Sequence, residues 1–83
     1  MERTLLLVDD ESHILSYLTR LLRDEGYQIF TAASGREGLE LLDRNRIDVA
    51  VSDQRMPQMT GVEFLARVKE RSPHTVRIRE QME

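Results

Sequence analysis

Two short apolar runs, each followed at once by aspartate, constrain the fold of this chain more than any other feature. Asp9 and Asp10 follow Leu5–Val8, and Asp53 follows Val49–Ser52. Runs this short are typical of strands buried on both faces rather than of free-standing helices. Because a carboxylate is costly to hold away from water, each aspartate marks the end of a strand. If both strands end at one edge of a sheet, their carboxylates converge there, and such a cluster either has a raised pKa or holds a hard cation.

Strand and helix patterns alternate along the chain. The predicted strands are Thr4–Val8, Tyr27–Ala32, Asp48–Ser52 and Thr75–Arg79, and the predicted helices are Ser12–Glu25, Ser34–Arg44 and Thr60–Arg71. Residues 75–83 also fit a short helix. This order implies right-handed crossovers and a parallel sheet, an α/β fold in which ligands bind beyond the carboxyl ends of the strands. The two strands that end in aspartate are the most apolar and are predicted to be central. The more polar second strand is predicted to lie near an edge.

The second and third predicted helices both begin with the sequence pattern of a capping box. Ser34 stands three residues before Glu37, and Thr60 stands three residues before Glu63. In this pattern the hydroxyl accepts from one free backbone amide while the glutamate accepts from another. Gly26 is a plausible stop for the first helix.

Length and composition exclude several classes of function. The chain has 83 residues, a net charge of −3 and no cysteine. It should therefore form one small domain without disulfides, and its charge gives no reason to expect direct binding of nucleic acid. No apolar run is long enough to span a membrane, so a cytoplasmic protein is expected. The four glycines fit no phosphate-binding loop.

The three aspartates suit magnesium and phosphoryl chemistry. Mg²⁺ prefers oxygen ligands and is commonly held by one or two carboxylates together with phosphate oxygens. Asp53 comes alone from its strand, so it is the candidate to attack phosphorus and form an acyl phosphate. A bound Mg²⁺ would neutralise the repulsion between the carboxylates and the phosphoryl group. In the competing interpretation, Asp9 and Asp10 form a solvated loop or a helix cap, and Asp53 is a turn residue.

Taken together, the spaced motifs resemble the receiver domain of two-component response regulators, from about Thr4 to Ile78. The motifs are Asp9-Asp10-Glu11 after the first strand, Asp53 after the third, and Met56-Pro57 with Gly61 in the following loop. The resemblance implies a flavodoxin-like three-layer α/β fold with a parallel sheet, in strand order 2-1-3-4-5 when complete. It also implies a signalling module rather than an enzyme.

The resemblance assigns a role to each site residue. The residue at Asp53 would accept a phosphoryl group from a histidine kinase. Asp10 and Asp53 would bind Mg²⁺ directly, and Asp9 would assist through a water molecule. The backbone carbonyl of Arg55 would be a further ligand.

The similarity ends before the last strand–helix units of a receiver. Complete receivers have five units, with Thr or Ser after the fourth strand and Lys after the fifth. Here the segment Arg79–Glu83 carries no hydroxyl, and no fifth strand follows it. Residues 1–83 are therefore expected to form an incomplete receiver, with three units and a fourth strand. Its output coupling should be impaired, and its exposed edge and apolar surface should favour self-association.

Two rival functions remain beside phosphoryl acceptance. A Mg²⁺-dependent phosphatase with an aspartyl phosphate intermediate usually needs a second aspartate two residues after the nucleophile, where this chain has Arg55. A protein–protein interaction or oligomerisation module, in which the acidic pocket is idle, is the stronger rival.

Overall fold

Strands and helices alternate through residues 3–80, the part of the chain that the computed structural model describes. The elements are β1 (Thr4–Val8), α1 (Ser12–Arg23), β2 (Gln28–Ala32), α2 (Gly35–Arg44), β3 (Val49–Asp53), α3 (Gly61–Arg71) and β4 (Val76–Glu80). The predicted fourth strand is confirmed, and the helical alternative is wrong over residues 76–80. Residues 81–83, where that alternative continued, lie outside the described part. None of the helices within residues 3–80 is long and apolar enough to cross a membrane.

The strands form one parallel sheet in the order β2-β1-β3-β4. The predicted parallel sheet is confirmed, with β1 and β3 at its centre and β2 at an edge. Val8 at the end of β1 pairs with Ser52 near the end of β3. This register brings the residues that follow both strands to the same edge of the sheet.

The main core lies between the sheet and the helices α2 and α3. Leu6 and Ala50 from the central strands are fully buried there, together with Phe64 and Val68 of α3. Fully burying a side chain such as Leu, Val or Phe contributes roughly 1.5–3 kcal/mol to the stability of the fold. On the opposite face, Leu15 of α1 is buried against the sheet. The packing of α3 against β3 fixes the path of the loop that follows Asp53.

The helix starts agree only partly with the predicted capping boxes. At α3 the box is complete: the Thr60 hydroxyl accepts from the Glu63 amide at 3.2 Å, and the Glu63 carboxylate accepts from the Thr60 amide at 3.3 Å. At α2 the Ser34 hydroxyl accepts from the Glu37 amide at 3.2 Å. The Glu37 carboxylate, however, accepts from Ala33 at 3.4 Å rather than from Ser34. Because Glu37 reaches one residue further back, the second predicted box is only half formed.

β4 is anchored at its start and exposed along its length. The buried Thr75 hydroxyl donates to the Ile47 carbonyl at 2.7 Å and lies 2.7 Å from the Ser72 hydroxyl. Beyond it, Val76 is 57% exposed and Ile78 is 48% exposed. Within residues 3–80, β4 pairs with β3 alone, so its other edge has free backbone groups.

Candidate functional site

Asp9, Asp10 and Asp53 converge at the carboxyl edge of the sheet. Each offers one carboxylate oxygen, and these oxygens all lie within 4.8 Å of one another. Asp9 directly follows β1, and Asp53 is the last residue of β3, one residue later in the strand than predicted. The structure therefore brings together the three side chains that the sequence singled out.

Asp9 is the buried member of this carboxylate cluster, with 5% of its surface exposed. Its Oδ1 accepts from the Glu11 amide at 2.9 Å, and its own amide donates to the Ala32 carbonyl at 3.1 Å. Burial is the largest influence on Asp9 and raises its pKa. The hydrogen bond from Glu11 lowers the pKa, and the negative charges of Asp53 and Asp10 raise it again. A cation beside Asp9 would relieve this cost of ionisation.

Asp53 is half-buried, whereas Asp10 is exposed. Asp53 Oδ1 accepts from the Gln54 amide at 2.8 Å, so one carboxylate oxygen is fixed by the backbone. Its Oδ2 receives no hydrogen bond from the described residues. Arg55 is exposed in the loop that follows. The role of its carbonyl as a metal ligand remains a prediction.

The connection from β3 to α3 passes very close to the acceptor strand. The Gly61 amide donates to the Gln54 carbonyl at 3.0 Å. A Cβ atom at Gly61 would overlap the carbonyl oxygen of Asp53. Gly61 is therefore required by this close approach of two backbone segments, which ties the start of α3 to the site.

The same loop contains a tight turn. Gln58 has a φ of 71°, which is uncommon for a residue other than glycine. The Met59 amide donates to the Pro57 carbonyl across it at 2.8 Å. Met59 packs so closely on Gly35 that a Cβ there would come within 2.6 Å of the Met59 sulfur. The turn thus packs the loop after Asp53 against the start of α2.

Glu80 is a fourth acidic residue at the site, and the sequence analysis did not identify it. It pairs with Asp53 across β3 and β4 and lines a small cavity together with Asp9 and Asp53. Its Oε1 is buried and has no hydrogen-bond partner among the described residues. Burial raises the pKa of Glu80, and the charges of Asp9 and Asp53 raise it further. The predicted strand ended one residue before Glu80. Extending the alternation of Val76 and Ile78 would place Glu80 on their face, but only the register with β3 shows what it faces.

Comparison with known proteins identifies the family. A family model described as the response regulator receiver domain matches residues 5–79. This chain belongs to the receiver domain family. The predicted flavodoxin-like fold is thereby confirmed, since the receiver domain is similar to the chemotaxis protein CheY4 of Vibrio cholerae with a TM-score of 0.91. That likeness has 37% sequence identity and covers 99% of this chain and 72% of the other.

Two further relatives show the range of proteins that contain such a domain. The receiver domain is 47% identical over 77 residues to the hydrogenase transcriptional regulatory protein HoxA of Cupriavidus necator. That match covers 93% of this chain but only 16% of HoxA. This chain is also similar to a structure of TrrA from Thermotoga maritima in complex with Mg(2+)-BeF, with a TM-score of 0.86 and 31% identity. This match covers 90% of this chain and 65% of TrrA.

The raised pKa of Asp9 predicts that Asp9→Asn becomes more stable relative to the wild type as pH rises in the absence of Mg²⁺. A folded-state pKa above the unfolded value means that the folded protein binds the proton more tightly. This tighter proton binding stabilises the folded wild type. The stabilisation is fully present below about pH 4, the ordinary aspartate pKa, and is lost as pH rises through the raised pKa of the folded state. Asparagine can still accept the hydrogen bond from Glu11.

Urea unfolding at several pH values measures this difference in the free energy of unfolding. Gln28→Asn, at an exposed position of β2, is the control because it removes no titrating group. A wild-type and Asp9→Asn difference that is constant between about pH 4 and pH 7 would contradict the prediction.

Proposed function

We propose that this receiver domain accepts a phosphoryl group from a histidine kinase onto Asp53, with Mg²⁺ bound at the carboxylate cluster. The observation that carries the proposal is the convergence of three carboxylate oxygens within 4.8 Å at the sheet edge. Membership of the receiver family supports the kinase as the donor, and the HoxA relative is described as a transcriptional regulatory protein.

The donor set of the cluster fits a small hard cation. It consists of carboxylates alone, one of them buried, with a pKa raised by burial and by its acidic neighbours. Carboxylate oxygens are the ligands that Mg²⁺ prefers. Asp10 and Asp53 would hold the ion directly, Asp9 through a water molecule, and the Arg55 carbonyl would complete the protein ligands. The ion would offset the negative charge that gathers when a phosphoryl group approaches.

The hydrogen bonds of Asp53 indicate which oxygen reacts. The backbone of Gln54 holds Oδ1. Oδ2 accepts no hydrogen bond from the described residues, and it attacks phosphorus to form an acyl phosphate. The bond between phosphorus and the kinase histidine nitrogen breaks, and its electron pair stays on that nitrogen. Because the other ring nitrogen of the phosphohistidine carries a proton, the donor histidine leaves as a neutral imidazole. The acyl phosphate carries nearly two negative charges beside Asp9, where the Asp53 carboxylate carried one.

A small phosphodonor tests this proposal without a kinase. The chain is incubated with acetyl phosphate and Mg²⁺, and its mass is measured. We expect a gain of one phosphoryl group, mapped to the peptide that contains β3 and prevented by a chelator. No gain, or a gain on another peptide, would overturn the proposal.

An interaction module is the second candidate, and the exposed strand β4 favours it. Val76 and Ile78 are about half exposed on a strand whose other edge is unpaired within residues 3–80. Such an edge is a template for pairing with another chain. In this function the domain self-associates through β4, and the carboxylate cluster is idle.

Self-association predicts that the mass of the protein in light scattering rises with concentration. Ile78→Lys should shift the mass toward the monomer, because a charged residue on an edge strand opposes pairing. Leu21→Lys is the matched control, since Leu21 is 53% exposed on α1, away from β4. A monomer mass at every concentration would contradict the prediction. Association that persists unchanged with phosphodonor and Mg²⁺ would favour the idle cluster.

A further inference from the structure

Glu80 stands where it can act on any ion at the acceptor site. It is the register partner of Asp53, and parallel partners project from the same face of the sheet. Its side chain lines the same small cavity as Asp9 and Asp53. The buried Oε1 has no hydrogen-bond partner among the described residues.

The direction of its effect differs for cations and anions. A negative charge on the register partner of Asp53 attracts a divalent cation held by the aspartates. The same charge repels a phosphodonor, and the repulsion grows with the negative charge of the donor. Burial raises the pKa of Glu80, and the nearby charges of Asp9 and Asp53 raise it further.

We propose that Glu80 is a specificity-determining residue of the acceptor site, one that strengthens cation binding and disfavours strongly anionic phosphodonors. This inference rests on the proposed phosphoryl acceptance by Asp53. Glu80 acts through its charge and forms no bond to the transferred group. In the transfer from acetyl phosphate, the Asp53 oxygen bonds to phosphorus while acetate leaves with the electron pair of the broken bond.

The test compares two donors and one cation in the wild type and in Glu80→Gln. At neutral pH acetyl phosphate is a dianion, whereas phosphoramidate carries one net negative charge. We expect Glu80→Gln to accelerate mass gain from acetyl phosphate about threefold to tenfold and to affect phosphoramidate less. The acceleration should shrink at high salt. Mg²⁺ affinity, measured by calorimetry, should fall about threefold.

Opposite effects on anion and cation distinguish a charge effect from a general loosening of the site. Glu80→Leu removes the same charge with an apolar side chain and should behave like Glu80→Gln. Glu70→Gln, on the exposed surface of α3, is the control for net charge and should change neither rate nor affinity. In the contradicting outcome, the wild type gains mass while Glu80→Gln leaves unchanged the ratio of the rates with the two donors or the Mg²⁺ affinity. Either unchanged quantity would overturn this inference and leave the proposed function standing. Absence of mass gain in the wild type would overturn the proposed function and the inference with it.

Discussion

An Asp53→Asn variant is expected to lose phosphoryl acceptance and, without Mg²⁺, to be more stable than the wild type. An amide oxygen is a poor nucleophile, so the loss of mass gain should be complete within detection. The hydrogen bond from the Gln54 amide to Oδ1 can be kept, because asparagine presents an oxygen in the same place. The fold should therefore remain intact while the chemistry is lost.

The gain in stability follows from the charges around Asp53. Its charge raises the pKa of both Asp9 and Glu80, which means that it repels their ionised forms. Removing one of these like charges should raise the free energy of unfolding by about 0.5–1 kcal/mol, because Asp53 is only half-buried and solvent screens the repulsion. Added Mg²⁺ should reverse the order by stabilising the wild type more than the variant.

Mass spectrometry and urea unfolding, with and without Mg²⁺, measure the two effects. Asp43→Asn is the matched control, since Asp43 pairs with Arg71 on the surface at 2.8 Å, far along α2 from the cluster. It should keep phosphoryl acceptance and lose at most about 1 kcal/mol of stability. If Asp53→Asn were phosphorylated to the same extent as the wild type, another residue would be the acceptor.

The sequence predicted the sheet and the three aspartates for a simple physical reason. Buried parallel strands have continuous apolar runs, and a carboxylate directly after such a run must lie at a strand end. Asp9 and Asp53 could therefore be placed at one edge without coordinates. The alternation of strands and helices predicted the order along the chain. The more apolar sequences of β1 and β3 predicted that these two strands would be central.

The surroundings of Glu80 and the hydrogen bonds at Ser34 could not be predicted from the sequence. What Glu80 faces depends on the register of β4 with β3, and a shift of one residue would turn its side chain to the other face. At Ser34, the pattern predicted two reciprocal hydrogen bonds, but Glu37 accepts from Ala33 because the chain entering α2 places that amide within reach. Both outcomes depend on tertiary geometry rather than on local spacing.

Gly61→Ala is expected to destabilise the domain strongly, against the usual trend for a helix. Alanine favours a helix over glycine by about 1 kcal/mol, and it also reduces the entropy of the unfolded chain. At Gly61 these gains are outweighed, because the new Cβ would overlap the Asp53 carbonyl oxygen, a backbone atom held by the sheet. Overpacking typically costs 1–3 kcal/mol, and about 3 kcal/mol is expected where backbone must move.

For a domain of this size, a loss of about 3 kcal/mol should lower the melting temperature by more than about 10 °C. Thermal and urea unfolding measure it. Val62→Ala, at an exposed position one residue further along α3, is the control and should change stability by less than about 1 kcal/mol. The shift of β3 that relieves the overlap should also displace Asp53, so Mg²⁺ affinity should fall in Gly61→Ala but not in Val62→Ala. Equal stability of the two variants would show that α3 can move away from β3, and the close contact between α3 and the site would then have no structural role.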